Sequence, residues 1–319
     1  MTKQVRMTKF KKCFTHVIKI PAPDFDLAIT LDSGQVFHWE NAGSGFVGAI
    51  GDFPVYVRQY CGFLEVRCGA TPTKSPRRPL PRIVARYFAL DHSLAEICAS
   101  FPNDPVMNAA RDFCRGLRII RQPKWECLAT FICSSMKQVT HIRQISLGLR
   151  KRFGEQRRIG DHFVYTFPST QRLAQASEKE LRECKLGYRA KNLRSTARLV
   201  SSGNANLEAW SALADTELRK QLCALPGVGP KIANCVMLFA YERLGAFPID
   251  VWIERVLRQQ YFPRRKKMTA QRLRQFSESY FGEHGGYAQQ YLFHHARTGR
   301  RGNRTIEVNR RYLGRNERR

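Results

Sequence analysis

The chain has 319 residues, enough for about two domains, and its hydrophobic fraction of 43% is typical of a globular protein. Its 54 Lys and Arg residues against 26 Asp and Glu residues give a formal net charge of +28, which attracts polyanions such as nucleic acid. The basic residues are scattered and no apolar run approaches the roughly 20 residues that span a bilayer, so we expect no membrane partner.

Ten cysteines are dispersed along the chain, mostly inside apolar segments such as LATFICSS at 128–135. Because the sequence shows no secretory signal, we expect reduced thiols. No cysteine follows Cys235, so the closely spaced cysteines that would bind an iron–sulfur cluster are absent. The adjacent His294 and His295 lack partners at the spacing that metal ligands need. The sequence therefore predicts neither a metal ion nor another cofactor.

Short β-prone runs alternate with turn residues from about residue 13 to residue 70. The runs are DLAITL, SGQVFHW, GFVGAI, FPVYVRQY and FLEVRC, separated by DSG, NAGSG, GD and CG. Such spacing predicts an antiparallel sheet. The basic, proline-rich segment 71–82 that follows predicts an exposed loop, either solvated or in contact with DNA.

Beyond residue 83 the apolar period changes to 3.6 residues, which predicts a mainly helical second half. The candidate helices are 83–90, 94–101, 106–117, 125–135, 141–153, 170–176, 178–184, 190–202, 215–225 and 230–242. The strongly basic segment 297–319 predicts a loosely ordered tail that adds charge for DNA binding. We therefore predict an α+β fold in which an N-terminal antiparallel β-sheet domain (1–105) packs against a helical domain (106–296).

The stretch LPGVGPK at 225–231 joins two helical segments and predicts a helix-hairpin-helix over about 214–242. Gly227 and Gly229 allow a tight turn with outward amides, and Pro230 suits the first turn of the second helix. The positive end of that helix adds to the amides, so the turn can bind a phosphate. A plain hairpin whose glycines only make the turn would have the same pattern.

Lys231 lies in the first turn of the second helix, where the helix dipole disfavours the ammonium form and makes the amine a better nucleophile. Taken alone, such a lysine is better explained as a phosphate contact or a solvated residue. Asp250, in FPIDVWIERV, stands at the entrance of the following helix. As an N-cap it satisfies helix amides, and a carboxylate held in this way can also face a developing cation or help to move a proton.

The pairing of LPGVGPK with PIDVWIERV at 248–256 resembles the helix-hairpin-helix DNA glycosylase superfamily. Further segments resemble its 8-oxoguanine DNA glycosylase branch, in the same order along the chain: DSGQVFHW at 32–39, PKWECLATFICSS at 123–135, KLGYRAKNL at 185–193 and GYAQQYLF at 286–293. The resemblance covers roughly residues 13–296. It implies a monomeric enzyme without a cofactor that excises 8-oxoguanine from duplex DNA and then cleaves the strand.

The resemblance makes Lys231 the nucleophile that attacks C1′ of an extruded nucleotide, forms a Schiff base and proceeds to β-elimination. It makes Asp250 the carboxylate that stabilises the oxocarbenium character of the sugar and assists proton transfer. Extrusion is required because C1′ and the faces of the base are inaccessible within an intact duplex.

Four residues correspond to base-binding positions of the family. Gly34 corresponds to the glycine whose carbonyl accepts the N7 hydrogen that 8-oxoguanine has and guanine lacks. Phe293 corresponds to the aromatic that stacks on the base, and Gln289, four residues earlier on the same predicted helix, to the amide that reads the Watson–Crick edge. Cys235 corresponds to the cysteine on the other side of the base. A turn glycine, core aromatic or buried thiol would also explain these residues structurally.

Tyr188 and Arg189 resemble the wedge and the arginine that enter the gap left by the extruded nucleotide, although Arg189 also suits a phosphate contact. Gly227 and Gly229 correspond to the phosphate-binding turn. Trp252 replaces a family histidine near the aspartate, which implies a changed phosphate contact or changed packing around the site.

One segment departs from the family. Met136, Lys137 and Gln138 replace a run of asparagines, and His141 stands where an arginine reads the cytosine left unpaired. Of the residues that read this cytosine only Arg189 is retained, so we expect a weaker preference for cytosine opposite the lesion.

Two other functions remain open from the sequence. A glycosylase for alkylated or other damaged purines would be favoured if Gly34 lay away from the base pocket. A DNA-binding hairpin protein without catalytic activity would explain the net charge and the phosphate-binding turn. The pairing of Lys231 with Asp250 argues against this second alternative.

Overall fold

The computed structural model describes residues 17–68, 80–264 and 268–299. Within these ranges an antiparallel sheet is followed by a mainly helical region, so the predicted α+β class is confirmed. The predicted loop at 71–82 lies outside the described residues up to residue 79, and its last three residues begin a helix. The predicted tail lies outside them beyond residue 299.

The sheet has five strands in the spatial order β1-β5-β4-β3-β2, all antiparallel. They are β1 Val17–Pro21, β2 Glu40–Ala42, β3 Gly45–Ile50, β4 Phe53–Tyr60 and β5 Phe63–Cys68. Val57 of β4 pairs with Val66 of β5, and both side chains are fully buried. One face of the sheet therefore packs on its own core together with the nearby helices.

Two of the predicted strands are not strands. DLAITL forms helix α1, Leu27–Asp32, because Asp26 accepts a hydrogen bond from the Ile29 amide (2.8 Å) and caps the helix. SGQVFHW is an irregular, largely buried segment that runs into β2. The strands β1 and β2, which the predicted runs do not include, form the two edges of the sheet.

Every predicted helix has a counterpart, with ends that differ by a few residues. The helices are α2 Leu80–Tyr87, α3 Leu94–Ala99, α4 Pro105–Phe113, α5 Lys124–Ser134, α6 Val139–Phe153, α7 Thr170–Gln175, α8 Glu178–Glu183, α9 Arg189–Ser201, α10 Asp215–Cys223, α11 Pro230–Tyr241, α12 Val251–Val256 with a π-helical continuation at Leu257–Tyr261, α13 Ala270–Phe281 and α14 at 285–299. Helix α14 extends three residues into the predicted tail. The predicted division at residue 105 stays a prediction.

A second hairpin, β6 Gln156–Ile159 and β7 His162–Tyr165, lies within the helical part of the chain and was not predicted. Its Ile159 and Val164 pack against Val47 and Tyr56 on the other face of the sheet. The sheet therefore has apolar contacts on both faces.

Every cysteine within the described ranges is a free thiol. Over the same part of the chain, no helix is both long enough and apolar enough to cross a bilayer.

A cluster of buried polar side chains joins the sheet to the helices. Arg150 donates to the Glu126 carboxylate and to the Tyr165 carbonyl (3.0 Å), and His38 Nε2 donates to the Ala49 carbonyl (2.9 Å). Burial, followed by the charge of Arg150, lowers the pKa of His38 well below its ordinary 6.5. His38 is therefore neutral in the folded protein at neutral pH.

We expect the free energy of unfolding to fall as the pH drops below the ordinary histidine value of 6.5. A histidine whose pKa is lowered in the folded state binds a proton more readily when the protein is unfolded. Its contribution to the free energy of unfolding is therefore complete above pH 6.5 and is lost as the pH falls towards the pKa of the folded state. His294, whose pKa burial lowers to about 4, acts in the same direction. Urea unfolding at about pH 7.5 and about pH 5 measures the effect. His38→Gln should show a flatter dependence, and an unchanged dependence would contradict this account.

Candidate active site

The hairpin turn between α10 and α11 contains two glycines, of which only Gly227 occupies a position that requires glycine. Gly227 has a φ of +81°, and a Cβ at this position would lie 2.8 Å from the Cβ of Asn192 in α9. Gly229 is the N-cap of α11, and no atom lies within 4 Å of the Cβ it would carry. No described carbonyl accepts a hydrogen bond from either glycine amide. The turn therefore presents N–H groups and a positive helix end on an open side, which suits a phosphate.

Lys231 is half-buried in the first turn of α11. Its Nζ lies 5.2 Å from the centre of the Phe131 ring in α5, and the amine lies beside the thiol of Cys235, one turn along α11. The Phe131 ring stacks on Phe239 of α11 with 5.4 Å between the ring centres, which holds the two helices together. Burial raises the pKa of Cys235, so its sulfur stays protonated. The lysine amine is thus held between an aromatic face and a thiol.

Asp250 caps the neighbouring helix, as the sequence predicted. Its Oδ1 accepts the Ile253 amide at 2.9 Å. Burial raises the pKa of Asp250 from its ordinary 3.8, while the Ile253 amide and the charge of Lys231 act in the opposite direction. Lys231 and Asp250 are therefore close enough to interact electrostatically. Asn234 of α11 donates to the carbonyl of Phe247 (3.4 Å), which ties the segment before Asp250 to the helix of Lys231.

Three of the predicted base-binding residues, Gly34, Gln289 and Phe293, lie where the Gly34 loop meets α14. Gly34 has a φ of +84°, and its Cβ would lie 3.0 Å from Phe293 Cε1 and 3.6 Å from Val139 Cγ2. Gln289 lies one turn before Phe293 on α14 and is 4% exposed. Its Oε1 is buried and accepts no hydrogen bond from any described residue. Because buried acceptors are nearly always paired, this oxygen suits a donor on a ligand.

The backbone around Gly34 is held by Gln35, a residue that the sequence did not single out. The Gln35 amide nitrogen donates to the Arg118 carbonyl (2.8 Å), and its amide oxygen accepts the Ile120 amide (2.6 Å). Gln122 donates to the Gln35 carbonyl at 2.7 Å. The signal available in the sequence was a polar residue inside a segment whose other residues are mostly buried.

Tyr188 and Arg189 lie at the start of α9 and differ in exposure. Tyr188 is 60% exposed, whereas Arg189 is only 5% exposed. The Arg189 Nε donates to the Ser135 carbonyl at 2.8 Å, and its guanidinium lies 4.2 Å from the Tyr188 ring centre. Arg189 thus supports the tyrosine ring and fixes the end of α5.

The departures from the family pattern at 136–141 follow Ser135, whereas Trp252 lies apart from them in α12. Met136 is 92% exposed and has a φ of +50°. His141 is exposed in the first turn of α6. Trp252 is half-buried in α12, with the Arg255 guanidinium 5.3 Å from its ring centre. The exposed apolar side chain of Met136 therefore lies close in sequence to the carbonyl that Arg189 holds.

The candidate site shows no metal centre. Residues 17–68, 80–264 and 268–299 contain no group of three His, Cys, Asp or Glu side chains placed to bind a metal ion. What the described residues do offer is an amine, a carboxylate, a thiol, an amide and an aromatic ring.

Comparison with known proteins gives consistent matches along the chain. Residues 17–128 match the family "8-oxoguanine DNA glycosylase, N-terminal domain", and residues 129–280 match "HhH-GPD superfamily base excision DNA repair protein". The chain is 31% identical over 300 residues to an N-glycosylase/DNA lyase of Arabidopsis thaliana, covering 86% of this chain and 78% of that protein. It is 28% identical over 306 residues to a probable N-glycosylase/DNA lyase of Methanothermobacter thermautotrophicus, covering 88% and 96%.

The fold is also similar to a solved protein–DNA complex. The Clostridium acetobutylicum 8-oxoguanine glycosylase/lyase, crystallised with double-stranded DNA containing cytosine opposite 8-oxoguanine, superposes with a TM-score of 0.81. The sequences are 28% identical, and the match covers 90% of this chain and 99% of the other.

Proposed function

Because the chain belongs to the 8-oxoguanine DNA glycosylase family, we propose that it excises 8-oxoguanine from duplex DNA and then cleaves the strand as a lyase. The observation that carries this proposal is the placement of Lys231 beside Asp250 at the start of α11. A binding module that only needs phosphate contacts has no use for a half-buried carboxylate next to a half-buried amine.

The chemistry follows from these two groups. The Lys231 amine attacks C1′ of an extruded nucleotide, the C1′–N9 bond breaks, and the base leaves with the bonding electrons and takes up a proton. Asp250 stabilises the positive charge that develops on the sugar. The C1′–N bond then becomes a Schiff base as the sugar ring opens, and loss of a 2′ proton expels the 3′ phosphate.

Base recognition is proposed to use the cluster around Phe293. The contact between Gly34 and Phe293 supports a pocket in which the base stacks on the ring while the Gly34 carbonyl accepts the N7 hydrogen. The free Oε1 of Gln289 suits a donor on the Watson–Crick edge, and Cys235 lies next to the nucleophile. This placement of Gly34 favours 8-oxoguanine over alkylated purines.

DNA binding is proposed to combine the hairpin turn with the exposed wedge. Gly227 and Gly229 bind the phosphate backbone, and Tyr188 enters the gap left by the extruded nucleotide. Trp252, beside Arg255, adds a contact near Asp250. We propose that the protein acts as a monomer, because these contacts need no second protein chain.

The test is incubation of the protein with an 8-oxoguanine:cytosine duplex in the presence of borohydride. We expect excision of the base, strand cleavage and a covalent protein–DNA adduct, because borohydride reduces a Schiff base to a stable amine. A matched guanine:cytosine duplex should give no adduct. Excision without any adduct would contradict the lyase route, and an intact 8-oxoguanine strand would refute the proposal.

We expect weak discrimination of the base opposite the lesion. Met136 offers no hydrogen-bonding group comparable to an amide, His141 replaces an arginine, and Arg189 is already bonded to Ser135. Losing bidentate contacts to a base removes about 1–3 kcal/mol of discrimination for each pair. Single-turnover excision with cytosine, adenine, guanine or thymine opposite should therefore differ by no more than about tenfold. A larger preference for cytosine would contradict this prediction.

A further inference from the structure

The loop that carries Gly34 is attached to α14 by two polar side chains. Gln290 donates to the Ser33 carbonyl at 2.7 Å, and Arg297 donates to the Asp32 carbonyl. Arg297 also lies 3.2 Å from the Asp32 carboxylate. Two successive carbonyls immediately before Gly34 are therefore held by one helix.

The same helix carries the groups proposed to read the base. Gln290 and Arg297 are two turns apart and lie on one face of α14, directly beside the stripe formed by Gln289 and Phe293. The hydrogen bonds to the loop and the proposed base contacts therefore share one rigid backbone. Any shift of the loop relative to α14 changes the distance between Gly34 and the Phe293 ring.

Arg297 is fixed by its surroundings. Its side chain is only 8% exposed, and its guanidinium lies 5.9 Å from the centre of the Phe293 ring. It also lies 3.2 Å from His294 Nδ1, which must accept because a guanidinium only donates. Arg297 thus contacts the recognition loop and the stacking ring at the same time.

The loop has a separate attachment that does not involve α14. Gln35 bonds to the Arg118 carbonyl and the Ile120 amide on the opposite side. Loss of Gln290 or Arg297 would therefore leave the loop folded against this segment but free to move relative to Phe293. This division makes the two contacts with α14 testable without removing the loop.

We propose that Gln290 and Arg297 are positioning residues that set the specificity for 8-oxoguanine by fixing the Gly34 loop against the Phe293 ring. The proposal rests on the proposed function. Recognition through one backbone carbonyl tolerates little displacement, because an error of about 1 Å in a reacting complex can reduce the rate by roughly 100-fold.

The experiment compares two substrates for Arg297→Met and Gln290→Met. One is an 8-oxoguanine:cytosine duplex, and the other is the same duplex with a preformed abasic site, whose cleavage needs Lys231 but no base recognition. We expect single-turnover excision of 8-oxoguanine to fall about tenfold or more, while cleavage of the abasic strand stays within about twofold of the wild type. Arg297→Lys, which keeps a charged donor, should recover part of the excision rate.

Two controls separate this positioning role from the loss of a positive charge and from the loss of the ion pair between Arg297 and Asp32. Arg115→Met removes the same charge from an exposed arginine paired with Asp112 at 3.1 Å, and it should leave both rates unchanged. Asp32→Asn keeps the backbone carbonyl that Arg297 holds and should also retain excision. Equal losses on both substrates, or no loss of excision in the Met variants, would overturn the proposal. A wild-type protein that cleaves abasic DNA but leaves 8-oxoguanine intact would refute the proposed substrate as well.

Discussion

Replacing Lys231 by Gln is expected to abolish borohydride trapping and to lower 8-oxoguanine excision roughly a thousand-fold or more. The amide of glutamine is not nucleophilic, so no bond to C1′ forms. Glutamine is only one atom shorter than lysine and keeps a hydrogen-bond donor near Cys235, so the packing against Phe131 should survive. Gel analysis of the trapped adduct and single-turnover excision measure the two effects.

Lys220→Gln is the matched control for this variant. Lys220 lies in α10 of the same hairpin, its side chain is 78% exposed, and its Nζ is 3.7 Å from Glu217. The change removes one positive charge near the proposed phosphate-binding turn without touching the nucleophile. Trapping should persist in Lys220→Gln, and trapping at the wild-type level in Lys231→Gln would reject the nucleophile assignment.

The hairpin and its lysine could be predicted because their signals are local. Gly227 has a positive φ that favours glycine, Pro230 occupies the first helical position, which suits proline, and Asp250 precedes a helix that it caps. Signals of this kind need no knowledge of the rest of the chain. The structure shows the predicted cap directly, as a hydrogen bond from the Ile253 amide to Asp250.

The residues of the proposed base pocket could not be predicted from local signals. Gly34 and Phe293 are far apart in sequence, and only the resemblance to a family indicated that they belong together. The structure brings them into contact, but their roles stay predictions until they are tested. Gln290 and Arg297 gave no signal at all, because both bond to backbone carbonyls and such partners leave no pattern in the sequence.

The errors in the fold prediction also have physical causes. DLAITL is too short for its period to distinguish a strand from a helix, and the cap at Asp26 decides for the helix. The hairpin β6–β7 begins with QRRI, which shows no apolar alternation. Ile159 and Val164 pack against the sheet, so the tertiary contact supplies what the local pattern lacks.

Replacing Asp250 by Asn is expected to slow excision roughly 100-fold while leaving the fold intact. Asparagine caps a helix about as well as aspartate, so the bond to Ile253 is kept and only the charge is lost. Single-turnover excision measures the rate, and thermal unfolding measures the fold. Asp104→Asn, which changes another capping aspartate at the start of α4, is the control and should retain activity.

The pH dependence gives a second measure of the same carboxylate. Because burial raises the pKa of Asp250 above 3.8, the wild-type excision rate should fall on acidification at a pH higher than that value. The charged form of Asp250 stabilises the developing cation. The excision rate should therefore be at its maximum above the raised pKa of Asp250 and should fall below it. This acid limb should be absent from Asp250→Asn. A variant that excises 8-oxoguanine within about twofold of the wild-type rate, with the acid limb unchanged, would show that Asp250 only caps α12.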